Sequence, residues 1–332
     1  TNTYYSMATK RYLIPEDYHA DPSVHVFNGK LHIYPSHDWD CTDTENDNGD
    51  QYDMKDYHVF TIDGDPMTGK VTDHGVILSV EDIPWAGRQL WDCDIQERDG
   101  KYFLYFPLKD RNDIFRMGVA IADSPTGPFK CLCHPIHGSY SIDYACFKDD
   151  ADGEYYMYFG GIWGGQLQRY FDNKALEIPY LPQGKEKAIL PRVVKMAKNM
   201  TEFAEEPKAV LIVDENGELL TADNEYRFFE ASWMHKYNGK YYLSYSTGDT
   251  HMICYAVGDN PYGPFTFKGV VLTPVAAGWT THHCIVEWEG KWYLFHHDSV
   301  PSGGKSWCRS LKVCPLEYDA DGNILTIDGA AE

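Results

Sequence analysis

The sequence predicts an all-β protein, a five-bladed β-propeller with one helix-containing insertion between blades three and four. Three observations predict it. First, the stretch Asp99-Gly100-Lys101-Tyr102-Phe103-Leu104-Tyr105-Phe106 has near copies starting at Asn28 (NGKLHIYP), Asp152 (DGEYYMYF), Asn238 (NGKYYLSY) and Glu289 (EGKWYLFH). Each copy joins a turn residue and a glycine, which accept positive φ at a tight hairpin corner, to aromatic and aliphatic residues suited to a half-buried strand. Second, the copies start 71, 53, 86 and 51 residues apart, room for one antiparallel sheet of about four strands per unit. Third, the turn Asp123-Ser124-Pro125-Thr126-Gly127-Pro128-Phe129 ends unit two and returns as Asp259-Asn260-Pro261-Tyr262-Gly263-Pro264-Phe265 at the end of unit four.

In order, unit one runs from about Tyr12 to Asp73. Its inner part is Ala20-Asp21-Pro22-Ser23-Val24-His25-Val26-Phe27, and the later stretch CTDTENDNGDQYDMKD reads as a solvated polar loop, because it lacks EF-hand spacing. Unit two opens at Gln89-Leu90-Trp91-Asp92-Cys93-Asp94-Ile95. Unit three carries Ile142-Asp143-Tyr144-Ala145-Cys146-Phe147. The longest spacing follows, and Pro191 to Glu206 within it carries the one helix signal, with proline near its start. Unit four contains Phe228-Phe229-Glu230-Ala231-Ser232-Trp233, and unit five Thr280-Thr281-His282-His283-Cys284. Residues Cys314 to Gly322 read as an outer strand and turn.

The 332 residues, 43% hydrophobic and 15% aromatic, can bury a large core, and the repeat spans nearly all of them. One catalytic domain over 1–332, without a C-terminal β-sandwich, is expected. A formal net charge of −21 opposes nucleic acid and anionic membranes and favours a neutral or cationic partner, with which neutral sugars are compatible. No run of about 18 apolar residues suggests a membrane span, and the opening residues lack the apolar core of a signal peptide. The nine cysteines are odd in number and form no CxxC pair; several sit in predicted strands as small buried hydrophobes. A reduced, cytoplasmic setting is expected, and the acidic surface leaves room for a homo-oligomer.

Counting back from Gly29, Gly100, Gly153, Gly239 and Gly290 by 8, 8, 10, 9 and 8 residues gives Asp21, Asp92, Asp143, Glu230 and His282. All five are titratable, each precedes mostly apolar strand residues where charge is costly to bury, and each enters a blade beside the central channel. Carboxylates around one cavity suit glycoside hydrolysis, with one protonated to donate to the leaving oxygen and another ionised to activate water. Burial and mutual repulsion would push their pKa values apart, without saying which is which.

The ordered segments ADPSVHVFNGK, LWDCDIQERDGKYFLYF, SIDYACFKDDADGEYY, FFEASWMHKYNGKYYLSYS and THHCIVEWEGKWYLFHHD resemble glycoside hydrolase family 43, five-bladed propellers that act on xylan and arabinan side chains and oligomers. The resemblance covers roughly residues 12 to 325. It implies that Asp21 is the general base, Glu230 the general acid, and Asp143 the residue that raises and orients the acid, with inversion at the anomeric carbon. It also implies that His282 contacts a hydrated divalent ion, often calcium, with His283 as the neighbouring candidate. Trp91 matches an aromatic wall of the sugar pocket and Arg309 a cation on substrate hydroxyls, while His251 and Asp38 are expected on loops near the rim. Trp91-Asp92-Cys93-Asp94 departs from the family's usual Trp-Ala-Pro-Asp run, leaving Asp92 without an assigned role.

The expected activity is an inverting exo-acting β-xylosidase that releases xylose from the non-reducing end of xylo-oligosaccharides, with α-L-arabinofuranosidase activity compatible with the same pocket. The alternatives are a dedicated α-L-arabinofuranosidase acting on arabinosides, a non-catalytic sugar-binding propeller, and a retaining sucrose-processing propeller with closer carboxyls.

Overall fold

The computed structural model describes residues 5, 6, 8–41 and 45–331. The five hairpin corners each join the first two strands of a sheet. Four are two-residue turns, Asn28-Gly29, Asp99-Gly100, Asn238-Gly239 and Glu289-Gly290, with φ of 49–53° at the first residue and 73–81° at the glycine. That pair of left-handed conformations matches the twist of the flanking strands. It sets the facing pairs Phe27 with Lys30, Arg98 with Lys101, Tyr237 with Lys240 and Trp288 with Lys291. In blade three the corner is longer, and Lys148 faces Tyr155.

Blade one consists of His19–Phe27, Lys30–His37, Asp56–Asp63 and Lys70–Ser79, and blade two of Asp94–Arg98, Lys101–Lys109, Phe115–Ala122 and Lys130–Cys131. Blade four is built from Phe228–Tyr237, Lys240–Thr247, Ile253–Gly258 and Phe265–Leu272, extended at its outer edge by Thr326–Ile327 and Tyr5–Ser6. In blade five, Cys284–Trp288, Lys291–Asp298 and Ser310–Leu316 come from the end of the chain. Its outermost strand, Arg11–Tyr12, comes from the beginning. The ring therefore closes through a sheet shared between the two ends of the sequence.

Arg11 fastens that closure to blade one, donating hydrogen bonds to the carbonyl oxygens of Pro66 (2.9 Å) and Gly69 (2.7 Å). Hydrogen bonds from a charged donor contribute about 1.5–3 kcal/mol each. Arg11→Ala is accordingly expected to lower the thermal midpoint by several degrees without changing turnover at 25 °C, measured by thermal unfolding and by initial rates.

The expected helix between blades three and four is absent. Among the described residues the helical turns are three-residue 3-10 turns at Val80–Asp82, Trp163–Gly165 and Leu167–Arg169. The stretch read as a helix instead supplies the outer half of blade three. Arg192–Lys195 pairs antiparallel with Tyr155–Phe159, the chain turns back through Met200 at φ 63°, and Lys208–Ala209 forms the outermost strand. Val193 and Val194 are fully buried in that sheet, where β-branched side chains pack well. Pairing with a waiting strand edge outweighed a weak local helix preference.

The core lies between facing blades. One cluster, with Tyr105, Tyr158, Phe159 and Tyr245, joins blades two, three and four; another, with Ile33, Phe60, Leu294 and Phe295, joins blades five and one to blade four. Wide aromatic side chains suit the wedge-shaped gaps between twisted sheets. None of the nine cysteines forms a disulfide, and no helix among the described residues is long and apolar enough to cross a membrane.

Candidate active site

The residues that enter the blades beside the channel do so through irregular backbone. Asp21 sits at φ 50° in a bulge between Ala20 and Ser23, and Asp143 at φ 61° just ahead of its strand. Glu230 lies in a double bulge between Phe228 and Trp233, followed by Ala231 at φ 62°. Left-handed backbone is uncommon for residues with a Cβ and concentrates at functional sites. Bulges re-aim side chains out of the pleat, and here Asp21, Asp92, Asp143, Glu230 and His282 all line one cavity of about 360 Å³.

Asp21 is held as a carboxylate. Burial pushes its pKa up, but the charge of Arg309, the nearby His282 and His297, and the Ser36 hydroxyl outweigh burial and hold it well below the ordinary range. Arg309 Nη1 stands 3.0 Å from one carboxylate oxygen, and the Ser36 hydroxyl donates to the other at 2.6 Å. The backbone N–H of Asp21 donates to His297 Nδ1 at 3.1 Å. His297 therefore carries its proton on Nε2, facing the Thr280 hydroxyl at 3.0 Å. Burial, with Arg309 beside it, lowers the His297 pKa to about 3 and keeps the ring neutral.

Glu230 has the opposite environment. It accepts no hydrogen bond among the described residues. Burial first, then the charges of Asp143 and Asp21, raise its pKa well above the carboxylate range, with Arg309 opposing. Such surroundings favour the protonated form of the carboxyl. Asp143 links to it through the backbone: its Oδ2 accepts from the Ala231 N–H at 2.8 Å, fixing the bulge that carries Glu230. Asp92 is buried and hydrogen-bonded to Asp143; burial and the Asp143 charge push Asp92 up, so it donates and Asp143 accepts. The residue left without a role by sequence is thus the hydrogen-bond partner of Asp143.

Arg309 and Trp91 also line the cavity. Asp38 does not stand at the rim: it is buried behind Arg309 and grips it, accepting from Nε at 2.8 Å, Nη2 at 2.9 Å and the backbone N–H at 3.0 Å. His251 sits behind the wall, edge-on to Trp279 at 4.9 Å between ring centroids, while Trp279 itself lines the cavity. Of the two adjacent histidines, His282 faces the cavity with Nδ1 3.5 Å from Asp21, whereas His283 is buried with Nε2 2.6 Å from the Ser244 hydroxyl.

The polar stretch read as a solvated loop forms part of the wall. Glu45, Asn46, Asp47, Gly49, Gln51 and Tyr52 line the cavity, and residues 42–44 lie outside the described residues. Asn46 and Arg88 bind the loop's Asp50. Gly49 lets Trp91 approach: a Cβ there would meet the indole at 2.9 Å. Charge in the sequence signalled solvent, but these polar groups satisfy one another and leave Tyr52 to stack under the Arg309 guanidinium at 5.0 Å. His297 was also missed, although it follows the last residue of the fifth repeat, His296, directly.

The sequence profile of Glycosyl hydrolases family 43 matches residues 70–324. The chain belongs to this family. It is 69% identical over 324 residues to a xylosidase/arabinosidase of Bacteroides ovatus, covering 97% of this chain and 99% of that protein. It is 61% identical to a β-xylosidase of Xylanibacter ruminicola, covering 96% and 99%. Among solved structures, a family 43 β-xylosidase/α-arabinofuranosidase from a compost microbial metagenome, described as a complex with xylotriose in a calcium-free form, superposes with a TM-score of 0.93 at 58% identity, covering 97% and 98%. Membership of family 43 makes this chain a glycoside hydrolase.

Proposed function

We propose that this family 43 enzyme is an inverting exo-β-xylosidase that removes xylose from the non-reducing end of xylo-oligosaccharides and also accepts α-L-arabinofuranosides. The observation that carries the reading is the pairing, in one cavity, of two carboxyls in opposite environments: Asp21 against Arg309 and the Ser36 hydroxyl, which favour its ionised form, and Glu230 buried without a hydrogen bond among the described residues, which favours its protonated form. A volume of about 360 Å³ lies at the small end of small-molecule pockets and suits roughly one or two sugar rings rather than a long chain. The names of the relatives support xylosides and arabinosides as substrates.

Glu230 donates its proton to the glycosidic oxygen as the bond to the anomeric carbon breaks. Asp21 takes a proton from a water that attacks the opposite face, so one displacement gives the inverted anomer. Arg309, fixed by Asp38, keeps the base ionised and offers donors to sugar hydroxyls. Trp91 and Trp279 supply apolar faces for the ring. Asp143 positions the acid through Ala231 and raises its pKa through charge.

The donor set at the cavity floor fits a hard divalent cation. Ligand atoms of Asp92, Asp143 and His282 lie within 4.8 Å of one another; a cation there would displace the proton Asp92 shares with Asp143, leaving two carboxylates and one imidazole as donors. These residues would hold calcium, a reading supported by the calcium-free description of the metagenomic relative. Such an ion would supply positive charge beside the catalytic carboxyls.

The deciding experiment is proton NMR of xylobiose with fresh enzyme. α-Xylose appearing before mutarotation is expected; β-xylose first would overturn inversion, and cleavage of α-L-arabinofuranosides alone would make the enzyme a dedicated arabinofuranosidase. The pH profile gives a second check. Glu230 must be protonated to act, so kcat/KM falls as pH rises through its raised pKa. Asp143→Asn keeps an oxygen for the Ala231 N–H but removes the charge that pushes Glu230 up. The alkaline limb is therefore expected to move acidward by about one unit or more.

A further inference from the structure

Outside the catalytic cavity, blade one carries a second cluster of metal-ligating side chains. We propose that Asp17, His19 and His37 form a binding site for a zinc-class divalent cation at the entry to blade one. Asp17 Oδ1 accepts from the Tyr18 N–H at 2.8 Å, which turns Oδ2 toward both imidazoles. His19 Nε2 lies 3.3 Å and His37 Nε2 3.0 Å from that oxygen. Ligands about 2.0 Å from a tetrahedral zinc stand roughly 3.3 Å apart, so these contacts have the length of a coordination-tetrahedron edge. All three ligand atoms lie within 4.8 Å of one another.

The surroundings match a metal ligand set. The far nitrogen of His37, Nδ1, pairs with Asp56 at 2.5 Å, and Asp56 is held in turn by the Trp39 indole N–H at 3.1 Å. A carboxylate behind a histidine fixes the tautomer that presents the other nitrogen to a metal. His19 is 1% exposed, its Nδ1 has no partner, and its one polar contact is Asp17. As a hydrogen-bonding group it is underused, and its ring stacks on that of His37 at 4.5 Å between centroids. Asp17, with 44% of its side chain exposed, leaves an entry path and a fourth position for water. Two nitrogens and one oxygen favour zinc over calcium, which takes oxygen.

The site sits where a clamp would matter. His37 precedes Asp38, which grips Arg309, and His19 is two residues before Asp21; the Asp38 N–H already donates to Tyr18 at 3.0 Å. A bound cation ties together the two segments that carry the base and its arginine anchor.

The test uses the whole enzyme, stripped with chelator and kept in excess calcium, and titrated with zinc by calorimetry and with cobalt(II) by visible absorption. One zinc per chain, a raised thermal midpoint and the intense visible bands of tetrahedral cobalt are expected. Asp17→Asn is expected to abolish the site, and Asp56→Asn to weaken zinc about 10–100-fold. Unchanged zinc binding in Asp17→Asn, or a wild-type enzyme that takes up no zinc and gives only faint cobalt absorption, would overturn the proposal and leave the cluster a hydrogen-bond network alone.

Discussion

Replacing Glu230 with Gln is expected to slow xylobiose hydrolysis by roughly a hundred- to ten-thousand-fold, the range for loss of a general acid. The fold should survive, because the Glu230 carboxyl accepts no hydrogen bond among the described residues and Gln has nearly the same volume. Its backbone bulge is fixed by the Ala231 N–H bond to Asp143, which the substitution leaves in place. The loss should depend on the leaving group. A sugar hydroxyl leaves only if protonated, whereas nitrophenolate departs without help, so 4-nitrophenyl β-xyloside should lose far less rate than xylobiose. Steady-state rates on both substrates check this; equal losses on the two would remove Glu230 from the role of acid.

Much of this site was legible because its signals are local. Asn-Gly, Asp-Gly and Glu-Gly corners specify left-handed turns by their own chemistry, and alignment on those glycines placed Asp21, Asp92, Asp143, Glu230 and His282 around one cavity. What failed depended on distant partners. Arg192–Lys195 became strand because the edge of Tyr155–Phe159 needed pairing, and a window of sequence does not contain that edge. The loop through Asp50 was charged enough to read as solvated, yet Arg88, 38 residues away, neutralises it. Asp38 was expected at the rim, and its burial follows from an arginine 271 residues later. The contribution of Arg11–Tyr12 to blade five belongs to the same class.

Asp21→Asn is the complementary case, and its loss should be of similar size but independent of the leaving group. Water must be deprotonated whichever group departs, so xylobiose and 4-nitrophenyl β-xyloside should slow together, again by roughly a hundred- to ten-thousand-fold. Removing one member of a buried charge pair ordinarily strands the other, at a cost of about 3–5 kcal/mol. Here Arg309 keeps its two-pronged pairing with Asp38, and the Asn amide can still accept from Arg309 and meet the Ser36 hydroxyl. The thermal midpoint should therefore fall less than in Asp38→Asn, which weakens the grip on the guanidinium itself. Asp38→Asn should in turn raise KM more than it lowers kcat, since Arg309 would lose its fixed orientation toward the sugar. The two variants thus separate ionising the water from holding the substrate. A leaving-group-dependent loss in Asp21→Asn, paired with a uniform loss in Glu230→Gln, would exchange the roles of the two carboxyls.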